Sequence, residues 1–319
     1  MIVIVTLNPL LEKKYFCDDF ELNNTFRVDK IKYSVGGKGI NISRELNYLG
    51  VPNQSFTFLG GENGRYIRKL LTHEKINYVA VPTKAQTREA AVIIDKKNNS
   101  VSTVMEKKYE ISRAEIEEMK VKLEKAILNS NMLVFAGSLP NDDTFEIIDW
   151  GTKLAKENDK LVLFDTYGNH LDKSLNLPVD IIHNNVDELE KALNKNLSTE
   201  EDIINLAKEL KDRGIKISAI TNGKHPFIVN NFGFLYKVYP PAVNEIHPTG
   251  SGDAFVAGLI YGIFNSLPIV ESLKIATSLG AINSTRIDVC NITYNELENF
   301  DKESINIETI GEKMNTIFS

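Results

Sequence analysis

Short apolar runs alternate with longer amphipathic segments along most of the chain. The runs are rich in β-branched and aromatic residues, a composition typical of strands that are buried on both faces. The sequence predicts such strands at residues 1–7, 54–59, 132–136, 161–165, 180–183 and 215–221. Because segments with helical periodicity separate them, we predict an α/β fold, in which helices cover both faces of a parallel sheet.

Several predicted helices are marked by their first residues. Ser112 and Glu115 have the spacing of a capping box and predict a helix directly after them. Ser198 and Glu201 have the same spacing and predict a second helix of this kind. Helical periodicity also predicts helices at 64–71, 142–158 and 269–284, and in the C-terminal segment.

Two predicted hairpins interrupt the alternation. Residues 91–95 and 100–105 flank a polar turn, and a second pair of short strands lies within residues 227–239. An antiparallel hairpin inside an alternating α/β chain is not expected to join the parallel sheet. We therefore expect the first hairpin to pair with the segment 16–35 in a small separate sheet.

This small sheet is expected to lie over the functional site as a lid, formed from about residues 12–35 and 88–109. The sequence contains no internal repeat and no low-complexity linker. We therefore predict that residues 1–319 form a single domain with the lid as its appendage.

Composition and charge narrow the class of protein. The formal net charge is −6, whereas a nucleic-acid-binding protein normally carries a basic stripe. No apolar run approaches the length of a membrane span, and the first residues do not resemble a signal peptide, so we predict a cytoplasmic protein without a membrane partner. Cys17 and Cys290 are far apart and in no metal-ligand spacing, which favours reduced thiols.

Two glycine loops are each followed by a helical pattern. Gly250 and Gly252 precede Asp253 and the apolar positions of a long helix, and residues 36–41 open another helix. The unpaired N–H groups at a helix N-terminus form an anion site. By itself, the loop with Gly250 and Gly252 is equally typical of a tight turn in which Asp253 caps the helix.

Phosphoryl transfer is the chemistry that fits these parts, because it demands positioning and charge stabilisation more than covalent catalysis. The amides of Gly250, Ser251 and Gly252 would stabilise the transferred phosphate, and Asp253 would accept the proton of the attacking hydroxyl group. A lid would exclude water, which is the competing nucleophile. The sequence contains neither the P-loop pattern nor the catalytic-loop pattern of protein kinases.

A set of motifs in a fixed order makes the chain resemble a known family. The motifs are Thr6-Leu7-Asn8-Pro9, Gly36-Gly37-Lys38-Gly39-Ile40-Asn41, Thr87-Arg88, Gly137-Ser138-Leu139-Pro140, Asn185-Val186-Asp187-Glu188 and Thr249-Gly250-Ser251-Gly252-Asp253. With them the sequence resembles the ribokinase/PfkB family of sugar kinases, in its branch of 1-phosphofructokinases and tagatose-6-phosphate kinases. The resemblance covers nearly the whole chain.

The resemblance implies a ribokinase-like three-layer α/β/α fold, with a central, mostly parallel sheet and a small β-sheet lid that often forms a homodimer contact. It implies ATP with Mg²⁺ as the phosphate donor. It also implies a ketohexose phosphate as the acceptor, which would be tagatose 6-phosphate, fructose 1-phosphate or fructose 6-phosphate.

Carried over by position, the resemblance makes Asp253 the catalytic base and Gly250, Ser251 and Gly252 the anion hole. A second group would bind the acceptor, with Lys38 and Arg88 near its existing phosphate and Ser138 assisting. This group comprises Glu12, Gly37, Lys38, Asn41, Arg88 and Ser138. A third group would bind the nucleotide, with Glu188 contacting Mg²⁺ through water; it comprises Asn185, Glu188, Thr221, Gly223 and Asn283.

Several positions depart from the family pattern. Glu12 replaces the sugar-binding aspartate, and Ala90 replaces an asparagine in the Thr-Arg motif. His183 replaces a lysine, and Pro226 replaces a glycine. These changes lie on the acceptor side and at the edge of the nucleotide site, so they favour retained kinase chemistry and leave the acceptor open.

Other interpretations remain open. A kinase for an unphosphorylated sugar or a nucleoside would use the same base and anion hole. A catalytically silent sugar-phosphate sensor is suggested by Glu12 and Ala90, and it would bind ligand without consuming ATP. A dinucleotide-dependent oxidoreductase is disfavoured, because Phe255 occupies a position where the glycine fingerprint needs glycine, and the loop does not follow the first strand.

Overall fold

The computed structural model describes residues 1–107 and 109–310 of the protein. The strands, in chain order, are β1 (Ile2–Thr6), β2 (Leu10–Cys17), β3 (Ile31–Gly36), β4 (Asn53–Gly60), β5 (Tyr78–Thr83), β6 (Glu89–Asp95), β7 (Ser100–Met105), β8 (Met132–Gly137), β9 (Leu161–Thr166), β10 (Ile181–Asn185), β11 (Ile217–Asn222), β12 (His225–Asn231), β13 (Phe234–Tyr239) and β14 (Asn306–Ile310). The helices are α1 (Lys38–Tyr48), α2 (Gly61–His73), α3 (Arg113–Leu128), α4 (Phe145–Glu157), α5 (Leu171–Ser174), α6 (Val186–Leu193), α7 (Glu200–Asp212), α8 (Ser251–Phe264), α9 (Ile269–Ser284) and α10 (Tyr294–Asn299).

A central sheet spans the described part of the chain, with strands in the order β14-β13-β12-β11-β10-β9-β8-β1-β4-β5. The strands from β11 to β5 run parallel, and β12, β13 and β14 join antiparallel at one edge. One apolar cluster contains Ile116 of α3 and Ile147 of α4, and another contains Ile42 of α1 and Leu259 of α8. Helices therefore cover both faces of the sheet, and the predicted three-layer α/β/α fold is confirmed.

Every strand predicted from an apolar run is present, with small differences at its ends. The edge strands β5 and β14 are not predicted, because their largely half-exposed or exposed positions give no continuous buried run. The prediction of a helical C-terminal segment is wrong for Asn306–Ile310, which pairs with β13 as a strand. Beyond residue 310, that predicted segment lies outside the described residues.

The helix starts are predicted correctly in one case and one residue too early in another. Ser112 and Glu115 form the predicted capping box of α3. The box of α7 is formed by Thr199 and Asp202, so the pairing of Ser198 with Glu201 is wrong. Two hydroxyl residues, Ser198 and Thr199, are followed three residues later by two acidic residues, Glu201 and Asp202, so the spacing fits two registers. No helix within 1–107 and 109–310 is long and apolar enough to cross a membrane.

A small second sheet has the order β3-β2-β6-β7. The predicted hairpin is present as β6 and β7, and β6 pairs in parallel with β2. The partner segment starts earlier than predicted, at Leu10, and residues 18–30 contribute no strand. Leu11 and Val35 of this sheet pack with Ile40 of α1, which attaches the small sheet to the body of the protein.

Helix α8 is seated closely against α9. A Cβ atom added at Gly258 would lie 2.6 Å from the Ala276 Cα atom, and one added at Gly262 would collide with Ser272. Real Cβ atoms do not approach other atoms this closely, so both positions require glycine. The close contact seats α8, whose first turn contains Asp253, on α9.

Candidate active site

The loop before α8, where the sequence predicts an anion site, is held in a left-handed turn, and its Ser251 N–H donates to the Pro248 carbonyl oxygen at 3.1 Å. Gly250 is the N-cap residue of α8 with a φ angle of 81°, and an added Cβ atom would collide with Val289. Glycine is favoured in left-handed backbone, and here the space also demands it. Among the described residues no side chain caps the helix, and Asp253 lies buried in its first turn. The alternative in which Asp253 serves only as a helix cap therefore does not describe this site.

Asn283 of α9 anchors this loop. Its Nδ2 atom donates to the Thr249 carbonyl oxygen at 2.9 Å and to Ser251 Oγ at 3.2 Å. Its Oδ1 atom accepts from the Cys290 backbone N–H at 2.8 Å. Asn283 is fully buried and does not line the cavity beside the loop, so the structure does not bring it together with the other predicted nucleotide residues.

The Asp253 carboxyl group lies in surroundings that favour its protonated form. Burial raises its pKa most, and the negative charge of Asp165 raises it further. Lys38 and a 2.7 Å hydrogen bond from Asn41 Nδ2 to Asp253 Oδ2 act in the opposite direction, and the resulting pKa is about 7. A carboxyl group that titrates near neutrality is suited to take a proton at physiological pH.

The second glycine loop brings α1 to this carboxyl group. Gly37 is the N-cap residue of α1 with a φ angle of 130°, and a Cβ atom there would lie 2.9 Å from Thr6 Cγ2 at the end of β1. The close contact seats the first turn of α1 on the central sheet. Asn41, one turn into the helix, is buried and reaches Asp253.

Lys38 is held by two carboxylates. Its Nζ atom forms ion pairs with Asp165 Oδ1 at 2.8 Å and with Glu188 Oε1 at 2.9 Å. Burial opposes the charge on Lys38, but the two carboxylates outweigh burial and raise its pKa above the ordinary value. The ammonium group thereby links α1 to β9 and α6, and an acceptor phosphate near it would compete with both carboxylates.

Asp165 and His183 belong to the site, although neither is among the predicted site residues and the sequence marks His183 only as a departure from the family pattern. His183 Nδ1 lies 3.1 Å from Asp165 Oδ1, and His183 Nε2 lies 3.2 Å from Thr221 Oγ1. The His183 ring packs against Phe255 with a centroid separation of 5.2 Å. Burial alone would raise the pKa of Asp165, but Lys38 and His183 hold it below its usual value. Both residues stand at the carboxyl ends of parallel strands, which is the signal that points to them.

The predicted Asn185-to-Glu188 element is the first turn of α6. Asn185 Oδ1 accepts from the Glu188 N–H at 2.8 Å, and Glu188 Oε2 accepts from the Asn185 N–H at 3.3 Å. Asn184 Nδ2 donates to the same Glu188 oxygen at 3.1 Å. This capping box fixes the Glu188 carboxylate at the helix N-terminus, within reach of Lys38.

The oxygen atoms around Glu188 fit a Mg²⁺ ion that is bound mainly by phosphate and water. No group of three His, Cys, Asp or Glu side chains within 1–107 and 109–310 is arranged to hold a metal. Asp165 Oδ2, Thr166 Oγ1 and Asn184 Oδ1 are buried oxygen atoms that lack a hydrogen-bond partner among the described residues. Mg²⁺ prefers oxygen donors and retains water, so this set fits an indirect contact better than a protein cage.

Two cavities adjoin the pair Asn41 and Asp253, with Asp253 in the lining of the first and Asn41 in the lining of the second. The first, of about 390 Å³, is lined by the anion loop and by strand ends, including Glu188, Thr221, Gly223, Gly250, Ser251, Gly252 and Asp253. The second, of about 970 Å³, is lined by residues of the small sheet, of α1 and of the end of α2, including Glu12, Lys14, Ser34, Asn41 and Arg44. Asn41 lines the second cavity and donates to Asp253 in the first, so this hydrogen bond lies at their boundary.

Arg88 and Ser138 meet at Asn8. Arg88 Nη2 donates to the Asn8 carbonyl oxygen at 3.0 Å, and Asn8 Nδ2 donates to Ser138 Oγ at 2.9 Å. Arg88 is buried, and its Nε atom has no partner among the described residues. The structure therefore brings these two predicted acceptor residues together, although neither lines the two cavities.

Glu12 and Ala90, two departures from the family pattern, are direct neighbours. They are register partners in the parallel pair of β2 and β6. Glu12 Oε2 accepts a 2.8 Å hydrogen bond from Ser34 Oγ on β3. The longer carboxylate and the smaller neighbour therefore change the same part of the small sheet.

A parallel α/β fold with a buried carboxyl group at a helix N-terminus, between two cavities, is the arrangement of an enzyme for small molecules. The chain belongs to the pfkB family of carbohydrate kinases, whose sequence signature matches residues 6–294. The family predicted from the motifs is thereby confirmed.

Two relatives and one solved structure illustrate the similarity. The chain is 30% identical over 315 residues to a tagatose-6-phosphate kinase of Staphylococcus epidermidis, covering 95% of this chain and 98% of that protein. It is 29% identical to a 1-phosphofructokinase of Borreliella burgdorferi, covering 91% and 94%. A possible 1-phosphofructokinase from Thermotoga maritima superposes with a TM-score of 0.86 at 22% identity, covering 97% of this chain and 99% of that one.

Proposed function

We propose that the protein transfers the γ-phosphate of ATP to a hydroxyl group of a ketohexose phosphate, which is tagatose 6-phosphate, fructose 1-phosphate or fructose 6-phosphate. The observation that carries this proposal is the position of Asp253, a buried carboxyl group with a pKa of about 7 at the boundary of two cavities. One cavity would hold the nucleotide and the other the acceptor. The names of the tagatose-6-phosphate kinase and 1-phosphofructokinase relatives support this acceptor class.

In this mechanism Asp253 accepts the proton of the attacking hydroxyl group. The hydroxyl oxygen forms a bond to the γ-phosphorus as the bond from that phosphorus to the bridging oxygen breaks, and ADP leaves with that oxygen. The backbone N–H groups of Gly250, Ser251 and Gly252 would stabilise the negative charge on the transferred phosphate, and the Ser251 N–H would exchange its 3.1 Å hydrogen bond to the Pro248 carbonyl oxygen for the phosphate. Asp253 then releases its proton to solvent, and a sugar bisphosphate leaves.

The nucleotide side of the site is assigned to Glu188, Asn185, Thr221 and Gly223. These residues line the first cavity next to the anion loop. Mg²⁺, when bound, neutralises phosphate charge, and Glu188 would contact it through water. Asn283 acts on this side by holding Thr249 and Ser251 in place.

The acceptor side is assigned to Glu12, Gly37, Asn41, Arg88 and Ser138. Arg88 and Ser138 would receive the existing phosphate, because the buried guanidinium offers charge-assisted hydrogen bonds to an anion. Glu12 would accept hydrogen bonds from the sugar. Arg88 offers a positive charge for a phosphate, and Glu12 offers a carboxylate for sugar hydroxyl groups. This combination suits a phosphorylated sugar better than a neutral nucleoside.

Lys38 would act by neutralising Asp165 and Glu188 beside the phosphates. Its two short ion pairs support this role more directly than a contact with the acceptor. The small sheet would act as the lid that excludes water. We further propose a homodimer through the small sheet, whose outer strand exposes Val104 and Met105; size-exclusion chromatography with light scattering measures it.

An ADP-release assay with ATP and Mg²⁺ tests the proposed function. The acceptors are fructose 1-phosphate, fructose 6-phosphate, tagatose 6-phosphate and the unphosphorylated sugars. ADP release that depends on one phosphorylated acceptor supports the proposal. If no acceptor stimulates ADP release while a sugar phosphate still binds by calorimetry, the protein is a sensor and the kinase assignment fails.

A further inference from the structure

Lys14 is a buried lysine that points into the second cavity. It lies on β2, two residues after Glu12, and successive side chains of a strand alternate between the two faces, so both side chains are on the same face. Lys14 is 4% exposed and lines the cavity together with Glu12. The neighbouring Lys13 points to the opposite face, where its Nζ atom lies 5.8 Å from the centroid of the Tyr33 ring.

The Lys14 ammonium group is poorly satisfied by the protein. Its nearest carboxylate oxygen among the described residues is Glu12 Oε2, at 3.4 Å. This distance is long for a charge-assisted hydrogen bond, which is typically about 2.7–2.9 Å. A buried ammonium group has three N–H donors, and leaving them without acceptors is costly. The ammonium group can therefore donate to an oxygen atom of a molecule bound in the cavity.

The neighbouring cations of this cavity are already engaged. Lys32 Nζ contacts both oxygens of Asp288, at 2.6 and 2.7 Å. Arg44 donates to Glu74 and to Asn41, each at 2.7 Å. Lys14 thus differs from Lys32 on β3 and Arg44 on α1, because each of these two side chains has a carboxylate partner at 2.7 Å or less.

Lys14 and Glu12 together present a donor and an acceptor. Glu12 Oε2 is occupied by Ser34, whereas Glu12 Oε1 makes no hydrogen bond to a described residue. The same cavity reaches Asn41, which contacts Asp253. A polyol in this cavity would therefore meet the Lys14 ammonium group and the Glu12 carboxylate, and it would also reach Asn41, the hydrogen-bond partner of the proposed base.

We propose that Lys14 is a specificity-determining residue, which donates a hydrogen bond to one hydroxyl oxygen of the acceptor while Glu12 Oε1 accepts from the adjacent hydroxyl group. The inference rests on the proposed function and adds to it a recognition element for two neighbouring hydroxyl groups. Because Lys14 and Glu12 occupy fixed positions on one strand, the pair binds two neighbouring hydroxyl groups in only one relative orientation. It distinguishes epimers of one sugar phosphate.

The test compares Lys14→Met with the matched control Lys13→Met, which removes the same charge from the opposite face of β2. Steady-state kinetics are measured with tagatose 6-phosphate and fructose 6-phosphate, which differ in the orientation of one hydroxyl group. Lys14→Met should raise the KM of the preferred acceptor about tenfold or more, because a hydrogen bond to a charged group is lost. It should leave the KM of ATP unchanged and reduce the ratio of kcat/KM between the two epimers. Lys13→Met should change none of these values.

The conservative variant Lys14→Arg should retain most of the discrimination, since it keeps a cationic donor. Thermal unfolding of each variant shows whether the fold is intact. If Lys14→Met folds and keeps both the acceptor KM and the epimer ratio of the wild type, Lys14 does not read the acceptor and the inference is overturned, while the kinase assignment stands. If the wild type releases no ADP with any acceptor, the proposed function fails, and this inference fails with it.

Discussion

Asn41 donates a 2.7 Å hydrogen bond to Asp253, and this contact joins the two helices that open with a glycine loop. The two residues are far apart in sequence, and each loop requires its glycine for a separate reason. Gly37 brings α1 against the end of β1, and Gly250 brings α8 beside Val289. The hydrogen bond orients the carboxyl group, and it also lowers the pKa that burial raises.

Replacing Asn41 by Ala should therefore move the pH dependence of the reaction. Loss of the hydrogen bond removes one influence that lowers the pKa of Asp253, so that pKa should rise by on the order of one unit. A base acts in its deprotonated form, so the acidic limb of kcat/KM should move to higher pH. The control Asn205→Ala, at an exposed position of α7, should leave the limb in place. An unshifted limb in folded Asn41→Ala would argue against the orienting role.

Asp253→Asn should reduce kcat by about a hundredfold or more, because the variant cannot accept the proton of the hydroxyl group. In the wild type, the rate should rise with pH through about 7, as the carboxyl group loses its proton. Asn is similar in shape and can still accept the hydrogen bond from Asn41 Nδ2. Calorimetry should therefore show ATP binding close to that of the wild type, and near-normal turnover would remove Asp253 as the base.

Gly250→Ala should cost more than the same change at another left-handed glycine. Gly168 has a φ angle of 92° with open space around it, so Gly168→Ala isolates the backbone cost of about 1–2 kcal/mol. Gly250→Ala adds a collision with Val289, and we expect it to displace the N–H groups of the proposed anion site. Denaturant unfolding and ADP release should both show the larger loss for Gly250→Ala. Equal losses for the two variants would mean that the contact with Val289 relaxes without consequence.

The strands and the glycine loops could be predicted because their signals are local. Buried parallel strands give continuous apolar runs, and Gly250 stands directly before a helical pattern. The partners of Lys38 could not be predicted in this way. Asp165 and Glu188 lie on β9 and α6, and only the order of the parallel strands brings them to α1. Sequence reasoning therefore assigned Lys38 by analogy to a phosphate, whereas the folded chain gives it two carboxylates.

Other differences have equally simple causes. An edge strand such as β14 pairs on one side only and exposes much of its surface, so its sequence has no clear strand signal. The capping box of α7 had two possible registers, and the chain uses Thr199 with Asp202. Asn283 was assigned by position in the family, but its side chain is consumed by the loop that it anchors.

Glu45 should make the protein less stable as the pH rises. It is fully buried on α1, its Oε2 atom accepts from the Ile292 N–H at 3.2 Å, and its Oε1 atom has no partner among the described residues. Burial raises its pKa from 4.5 to about 8. The unfolded chain therefore binds fewer protons than the folded one between these pH values, and the free energy of unfolding falls across this window.

Glu45→Gln should remove that dependence, because Gln keeps an acceptor for Ile292 and has no charge to bury. The difference in the free energy of unfolding between Glu45→Gln and the wild type should be larger at pH 8 than at pH 5, by on the order of a few kcal/mol in favour of the variant. Urea unfolding at both pH values measures this difference. The exposed Glu124→Gln on α3 serves as the control. If Glu45→Gln and the wild type lose stability equally with pH, Glu45 does not carry the effect.

Arg88→Ala should impair the phosphorylated acceptor far more than ATP. The guanidinium group is buried and holds the Asn8 carbonyl oxygen next to Ser138, where the acceptor phosphate is proposed to bind. Losing a charge-assisted contact should raise the KM of the acceptor by about tenfold to a hundredfold. Arg113→Ala removes an exposed guanidinium from α3 and is the control. Because Arg88 also supports Asn8, the decisive comparison is between the two substrates in one folded variant. Equal increases in the KM of ATP and of the acceptor would mean that Arg88 supports the fold without contacting the phosphate.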